Sequence, residues 1–150
     1  MKTRWLALAV VLTLALMPRD GRAQSTGDSR AKQAGSLRQN YPNPFNPETR
    51  SDFWVDEACV KGQSTQHKVS VKIYNILSQL VAVPVLQGSA GSVAGGQRLE
   101  NVLLPGCATY TWFWNGNYDR TSQEAASGVY VVVLEVDGKR VDIKRMLNAK

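Results

Sequence analysis

The sequence predicts an all-β fold, an antiparallel β-sandwich of about six or seven strands. Past residue 36, apolar residues recur with a period of two, the spacing of a strand with one buried face, and not with the 3.6-residue period of a helix. Glycine, proline and asparagine, which are typical of turns, separate these short stretches. Several short strands with frequent turns are typical of two packed sheets.

The first 23 residues have the order of a secretory signal peptide. Lys2 and Arg4 precede an apolar stretch from Trp5 to Met17, and a short segment ending in Ala23 follows. The apolar stretch has 13 residues, whereas a membrane-spanning helix needs roughly 20. Cleavage after Ala23 is therefore favoured over a membrane anchor, and the protein is predicted to be secreted.

Removing this segment changes the charge balance. The 150-residue chain has 18 basic and 12 acidic side chains, a net charge of +6. Residues 1–23 hold four of the basic residues and one of the acidic ones, so 14 and 11 remain, a net charge of +3. The remaining cations are scattered, which favours neither a nucleic acid nor an anionic membrane as partner. Residues 24–36 are predicted to be a flexible leader, and residues 37–150 one folded domain.

The first strands are predicted at residues 50–55, 69–76 and 80–86, from alternating or short apolar runs. Pro84 lies in the third run. Because proline cannot donate a backbone hydrogen bond, that strand is expected at a sheet edge, or to end nearby. A further strand is predicted at residues 109–114, before the turn signal Asn-Gly.

The last two strands are predicted to form a hairpin. Asp137-Gly138 supplies the two positive-φ positions of a type I′ turn between them. The first strand, residues 128–136, is apolar on both faces over much of its length, so we expect it at the centre of a sheet. In the second, Val141, Ile143 and Leu147 alternate with Arg140, Asp142 and Lys144, so the strand is expected to turn its charged side to water and its apolar side to the core.

Cys59 and Cys107 are the only cysteines. In an oxidising compartment an isolated pair is more often a structural disulfide than a metal or redox site. Closing a loop of about 50 residues would stabilise the fold by up to about 4 kcal/mol. Both cysteines lie in or beside predicted loops, residues 56–66 and 88–106, so the disulfide would join two insertions.

The sequence offers no recognisable catalytic or metal-binding set. His67 is the only histidine, and its polar neighbours predict a solvated loop residue rather than a general base. With one imidazole and widely spaced cysteines, a zinc site is not expected. The sequence therefore predicts that the protein is not an enzyme and holds no metal or cofactor.

Tyr110, Trp112 and Trp114 share one face of their predicted strand, which leaves two interpretations. Exposed rings in a row could form a flat sugar-binding platform, the basis of a carbohydrate-binding module. Because Thr109 and Thr111 take the opposite face, burial of the rings in the core is favoured.

A proline-rich segment opens the predicted domain, with three prolines in six residues. Each proline favours an extended residue before it, so the segment is expected to be polyproline-like. We expect Tyr41 and Phe45 to cover the open end of the core, and Asn43 and Asn46 to close side-chain turns. The segment consists of Tyr41, Pro42, Asn43, Pro44, Phe45, Asn46 and Pro47.

This segment resembles the opening signature of the type A C-terminal sorting domains of the type IX secretion system. Three more landmarks follow in the family's order: residues 71–81 resemble its strand, tight turn and strand, Trp114-Asn-Gly116 resembles its Trp-Asp-Gly, and residues 126–147 resemble its closing hairpin with a basic tail. The matched hairpin and tail residues are Gly128, Val129, Tyr130, Lys144, Arg145 and Lys150. Ser78 and Asn115 depart from the pattern, which usually has glycine and aspartate there.

The resemblance implies an immunoglobulin-like sandwich, since these domains are similar to that of the flagellar hook-cap protein. It implies passage through the periplasm to the outer surface or medium, and a non-catalytic role in export, surface anchoring or extracellular assembly. The implied partners are export machinery or cell-surface components, with edge strands as a route to self-assembly. No nucleic-acid partner and no membrane span after signal cleavage are expected. Deleting residues 144–150 is expected to leave the protein in the periplasm.

Overall fold

The computed structural model describes residues 34–55, 65–90 and 93–150. Within these ranges the chain forms nine strands in two antiparallel sheets, which confirms the predicted all-β class. The strands are β1 (Gly35–Leu37), β2 (Thr49–Val55), β3 (Gln66–Asn75), β4 (Leu80–Ala82), β5 (Val85–Gln87), β6 (Val102–Pro105), β7 (Ala108–Trp114), β8 (Gly128–Val136) and β9 (Lys139–Asn148). None of the described residues belongs to a helix that could cross a membrane.

The two sheets enclose one hydrophobic core. The first sheet has the strand order β1-β2-β7-β5, and the second has the order β4-β3-β8-β9 with β6 also paired to β3. β8 lies between β3 and β9, the central position predicted for it. Side chains from both sheets are fully buried in this core, among them Phe53, Ile73, Trp112 and Leu134.

The strand predicted at residues 80–86 is two strands, which is one reason why the structure has more strands than predicted. β4 pairs with β3 in one sheet, and β5 pairs with β7 in the other. The chain crosses between the sheets at Val83-Pro84, where a continuous ladder would need the N–H that proline lacks. β1 and β6 were not predicted, because β1 begins in the predicted leader and the four residues of β6 lie within a stretch predicted to be a loop.

The hairpin turn has the predicted backbone, with φ of 51° at Asp137 and 76° at Gly138. His67 is not a solvated loop residue, which corrects the sequence interpretation. It lies in β3 with its side chain 16% exposed, and its Nδ1 is 2.7 Å from Oδ2 of Asp137. The backbone N–H of Lys68 donates to the other carboxylate oxygen of Asp137 at 2.9 Å. The turn and the start of β3 therefore hold each other in place.

β9 follows the prediction at Val141, which packs against the core, but it faces the opposite way beyond that residue. Ile143 and Leu147 are 45% and 41% exposed, whereas Met146 is 1% exposed. A register shift lies at Leu134 in the β8–β9 ladder, and such irregularities re-aim side chains. Asp142 lies on the inner side, opposite Leu134, because its carboxylate has a role there.

The Asp142 carboxylate accepts a backbone hydrogen bond from β1. The N–H of Leu37 donates to Oδ2 of Asp142 at 2.8 Å, and the Ser36 hydroxyl approaches the same oxygen at 3.3 Å. Burial opposes ionisation of Asp142, but the N–H donors of Leu37 and Ile143 outweigh it and lower its pKa. Asp142 of β9, in the second sheet, is therefore hydrogen-bonded to β1, in the first sheet.

The folded domain begins two residues earlier than predicted, because Gly35 and Ser36 belong to β1 and not to the leader. The predicted signal peptide, residues 24–33 of the leader and Cys59 lie outside the described residues. Cys107 lies between β6 and β7, and its N–H donates to the Val55 carbonyl at 2.8 Å. The Cys59–Cys107 disulfide stays a prediction, which intact-mass measurement after alkylation without reductant would check.

Candidate functional site: the terminal surface

Three aromatic rings from distant parts of the chain close one end of the sandwich. Phe45 is 1% exposed, and its ring centroid is 5.3 Å from that of Trp114. Trp114 in turn lies 5.5 Å from Tyr130 in an edge-on arrangement. The Trp114 indole N–H donates to the Asn117 carbonyl at 2.8 Å, and the Tyr130 hydroxyl donates to the Ala126 carbonyl at 2.6 Å. The rings are thus buried without leaving these polar atoms unpaired.

The proline-rich segment is joined to the end of β9. The N–H of Phe45 donates to the Leu147 carbonyl at 2.9 Å, and the N–H of Ala149 donates to the Phe45 carbonyl at 3.0 Å. The Asn43 side-chain oxygen accepts the Leu147 N–H at 3.0 Å. The Gln39 side chain donates to the Arg145 carbonyl at 2.9 Å. These bonds occupy the outer edge of β9 here, so it does not offer a free ladder to another strand.

A buried asparagine sets the bend of the segment. Asn40 is 3% exposed, and its amide nitrogen lies 2.9 Å from both the Pro42 carbonyl and the Thr49 hydroxyl. The segment makes bridges at Tyr41 and Phe45 with bends between them, so the expectation of an extended, polyproline-like chain is wrong.

Only one of the two predicted core rings is in the core. Phe45 is buried, but Tyr41 is 73% exposed. The backbone of Tyr41 exchanges hydrogen bonds of 2.8 and 3.1 Å with Arg50. Residues directly opposite in an antiparallel pair project to the same face. Because Arg50 projects outward from β2, Tyr41 does too.

The third landmark touches the first directly. Gly116 has φ of 81°, and a Cβ built on it would lie 2.0 Å from the Pro47 carbonyl oxygen. Only glycine combines this backbone conformation with such a close approach. The side-chain oxygen of Asn115 accepts the Asn117 N–H at 3.1 Å. Asparagine thus provides the acceptor oxygen that an aspartate would provide at this position.

The second landmark forms a tight turn. Ser78, in the place of the usual glycine, has the left-handed φ of 60° that glycine favours. The Asn75 side-chain oxygen accepts the N–H groups of Leu77 and Gln79, both at 3.0 Å. This ordered turn leaves Ile76 and Leu77 73% and 72% exposed.

The exposed turn lies at the same end of the sandwich as the rings. A cavity of about 230 Å³ is lined by Ile76, Val129, Tyr130 and Ser127, among others. The Ser127 hydroxyl accepts the N–H of Lys150 at 3.2 Å. We define the terminal surface as the outward side chains around this end: Tyr41, Asn43, Asn46, Ile76, Leu77, Val129, Arg145, Leu147 and Lys150.

Some predicted motif residues lie away from this surface. Lys144 projects to the inner side of β9, and its Nζ is 3.3 Å from Oδ2 of Asp142. Gly128 begins β8 opposite Asn148, a residue that the sequence reasoning did not single out. Asn148 is 1% exposed and donates to the carbonyls of Ala125 and Ala126 at 3.2 Å. No sequence signal marked Asn148, because alternation with Ile143 and Leu147 put it on the side that was predicted to face water.

The row of rings on β7 is buried. Tyr110, Trp112 and Trp114 are 8%, 0% and 3% exposed. The Tyr110 ring lies 5.5 Å from Phe53, its hydroxyl donates to the Pro105 carbonyl at 2.5 Å, and burial raises its pKa. The alternative of a sugar-binding platform on this face is wrong, because the rings form the interior of the sandwich.

Arg98 and Asp119, away from these rings, are paired within the fold. Among the described residues, no group of three histidine, cysteine, aspartate or glutamate side chains could hold a metal ion. A cavity of about 240 Å³ lies beside Arg98 and Asp119. Hydrogen bonding to Arg98 lowers the pKa of Asp119, so these two charges satisfy each other. The terminal surface, in contrast, presents polar and apolar side chains to solvent.

A scan against protein-family models and a search of curated proteins both found no match. Among solved structures, the chain is similar to Pseudomonas fluorescens alkylpurine DNA glycosylase AlkC bound to DNA containing an abasic site analog. The identity is 15% and the TM-score is 0.42. The match covers 77% of this chain and 31% of the glycosylase chain, so this chain spans about a third of that protein.

That neighbour is an enzyme in complex with DNA, and it contradicts three predictions. The first is a non-catalytic role in export, anchoring or assembly, for which glycan binding was the alternative. The second is that the protein is not an enzyme, and the third is that it has no nucleic-acid partner. We withdraw them in that form. A likeness at this identity and TM-score does not in turn assign DNA binding or base excision to this chain.

Proposed function

We propose that residues 35–150 form a secreted, immunoglobulin-like domain of the type A sorting kind, with the terminal surface as its protein-binding surface. One observation carries the proposal. Phe45, Trp114 and Tyr130 come from three separate landmarks of the sequence resemblance, and their rings form one contacting set. Sequence spacing alone gives no reason for residues this far apart to meet. This contact between the rings supports the interpretation that the landmarks form one structural unit.

The two departures from the family pattern add support. Ser78 keeps the left-handed turn that glycine would make, and Asn115 keeps the side-chain acceptor that aspartate would supply. Each substitution therefore preserves the local geometry on which the landmark depends.

The exposed side chains suit recognition by a protein. Ile76, Leu77 and Tyr41 are each more than 70% exposed, yet the backbone that carries them is hydrogen-bonded in place. Large apolar side chains gathered on a surface often mark an interaction site. Holding them on an ordered backbone reduces the entropy lost on binding. Arg145, also exposed, adds a cation beside them.

The experiment cannot use the deletion of residues 144–150. That deletion removes Met146 and Asn148, both 1% exposed, so loss of transport would report unfolding. Point substitutions of exposed residues avoid this. The test variant is Leu77→Ser with Arg145→Glu. The matched control, Leu103→Ser with Arg120→Glu, changes the same residue types away from the terminal surface, where Leu103 is 52% exposed.

Each form is fused behind a reporter with a signal peptide and expressed in a bacterium that has a type IX system. Reporter on intact cells is measured by its accessibility to added protease. We expect delivery by the unaltered and control domains, and at least about a tenfold loss for the test variant, the effect of losing about 1.4 kcal/mol of binding. Equal delivery by all forms would contradict the proposal, as would retention of all of them in the periplasm.

A further inference from the structure

A second candidate site lies on the outer face of the first sheet. A shallow cavity of about 390 Å³ is formed where β2 meets residues 38–41. We name it the arginine groove. The side chains that matter to the argument are Arg38, Tyr41, Arg50, Asp52, Gln87 and Thr111.

Strand register brings these residues together. Asp52 pairs with Thr111, and Thr111 pairs with Gln87, so the three form one row across β2, β7 and β5. The N–H of Arg38 donates to the Asp52 carbonyl at 2.8 Å. The second arginine, Arg50, lies two residues before Asp52 on the same side of β2, where it pairs with Tyr41. The groove thus has two cations beside one end of this polar row.

The charges in the groove do not cancel. Neither Arg38 nor Arg50 has an ion-pair partner among the residues that the structure describes. The Arg38 guanidinium lies 5.9 Å from the centroid of the Trp54 ring, which supports it by a cation–π contact. Asp52 accepts the Thr111 hydroxyl at 2.7 Å. Two arginines against one aspartate leave a single positive charge uncompensated.

We propose that the arginine groove binds a peptide carboxylate. The planar guanidinium matches the two oxygens of a carboxylate and binds them with paired hydrogen bonds. One excess positive charge suits a monoanion, whereas Asp52 would repel a phosphate dianion. Gln87 and Asp52 offer acceptors for peptide N–H groups, and the exposed Tyr41 ring offers apolar contact. The groove shares Tyr41 with the terminal surface, but its two arginines lie outside that surface and are unchanged in the delivery experiment, so the two proposals can fail separately.

The test titrates the 15N-labelled protein and follows the side-chain Nε–H signals of its arginines by NMR. The probes are N-acetylglutamate methylamide, with a side-chain carboxylate, and N-acetylglycine, with a terminal one. Inorganic phosphate and the neutral N-acetylglutamine methylamide are the comparisons. We expect the carboxylate probes to shift the Arg38 and Arg50 signals saturably, phosphate to act more weakly, and the amide to have no effect. The tighter of the two carboxylate probes identifies the source.

Variants complete the design. Arg38→Gln with Arg50→Gln should weaken carboxylate binding at least about tenfold, the loss of about 1.4 kcal/mol. Arg120→Gln, at a 74% exposed arginine elsewhere, should leave it unchanged. Stronger binding of phosphate, or equal shifts at Arg120 and in the groove, would overturn the proposal. Both groove arginines are exposed, so their replacement should not unfold the domain.

Discussion

The two ends of the sandwich are built by different means. At the terminal surface, Asn43 bonds to Leu147 across 104 residues of chain, and a buried ring seals the core. At the opposite end, β8 and β9 are joined by the adjacent residues Asp137 and Gly138, which both take left-handed φ values, and Asp137 also forms exposed hydrogen bonds to β3. The first end depends on a buried ring packed over long range, whereas the second combines a local turn with exposed hydrogen bonds. Substitutions should therefore cost most at the terminal end.

Replacing the sealing ring gives the largest expected effect. Phe45→Ala should lower the free energy of unfolding by about 3–5 kcal/mol, because it leaves a cavity beside Trp114. Tyr41→Ala, in the same segment but 73% exposed, should cost about 0.5 kcal/mol or less. Urea unfolding followed by tryptophan fluorescence measures both. Similar losses for the two variants would show that Phe45 does not hold this end together.

A matched pair of glycines separates close packing from backbone strain. Gly138 has φ of 76° with open space around it, so Gly138→Ala should cost only the left-handed conformation, about 1–2 kcal/mol. Gly116→Ala meets the Pro47 carbonyl as well, which should add about 1–3 kcal/mol. Thermal and urea unfolding of the two variants give the difference. Equal losses would mean that the Gly116–Pro47 approach relaxes freely.

The smallest effect concerns acid stability at the hairpin end. The His67 hydrogen bond, with help from the Lys68 N–H, lowers the pKa of Asp137 below its usual 3.8. A carboxyl with a lowered folded-state pKa stabilises the fold above its unfolded pKa, and this contribution is lost as the pH falls through the folded value.

The stability gap between the unaltered protein and Asp137→Asn should therefore narrow below about pH 4. Because the Asp137 side chain is 55% exposed, the gap should be under about 1 kcal/mol at neutral pH. Thermal unfolding between about pH 2 and pH 6 measures it. A gap that does not change over this range would contradict the explanation by hydrogen bonding to the Asp137 carboxylate.

Local patterns predicted the elements that local physics decides. Alternation located β2, β3 and β7, and Asp137-Gly138 predicted its turn. Alternation failed for β9, because the choice of inward face depended on a register shift in the β8–β9 ladder and on the need of β1 for an acceptor. Both causes involve residues distant in sequence.

The candidate sites divide in the same way. The sequence identified Tyr41 and Phe45 as the two rings of the segment, but it did not show which of them is buried. The outward direction of Tyr41 follows from its pairing with Arg50. The arginine groove was not found, because Arg38, Arg50 and Gln87 have no spacing in common and meet only when three strands and a connecting segment lie side by side.

The sequence by itself determined the all-β class, the hairpin turn and the order of the landmarks, since each depends on residues a few positions apart. The tertiary structure alone decided the rest. It brought the rings of Phe45, Trp114 and Tyr130 into contact, moved the chain from one sheet to the other at Pro84, and turned Ile143 and Leu147 of β9 outward. A strand pattern sets which residues share a face. Only the packing of the second sheet sets which face is inside.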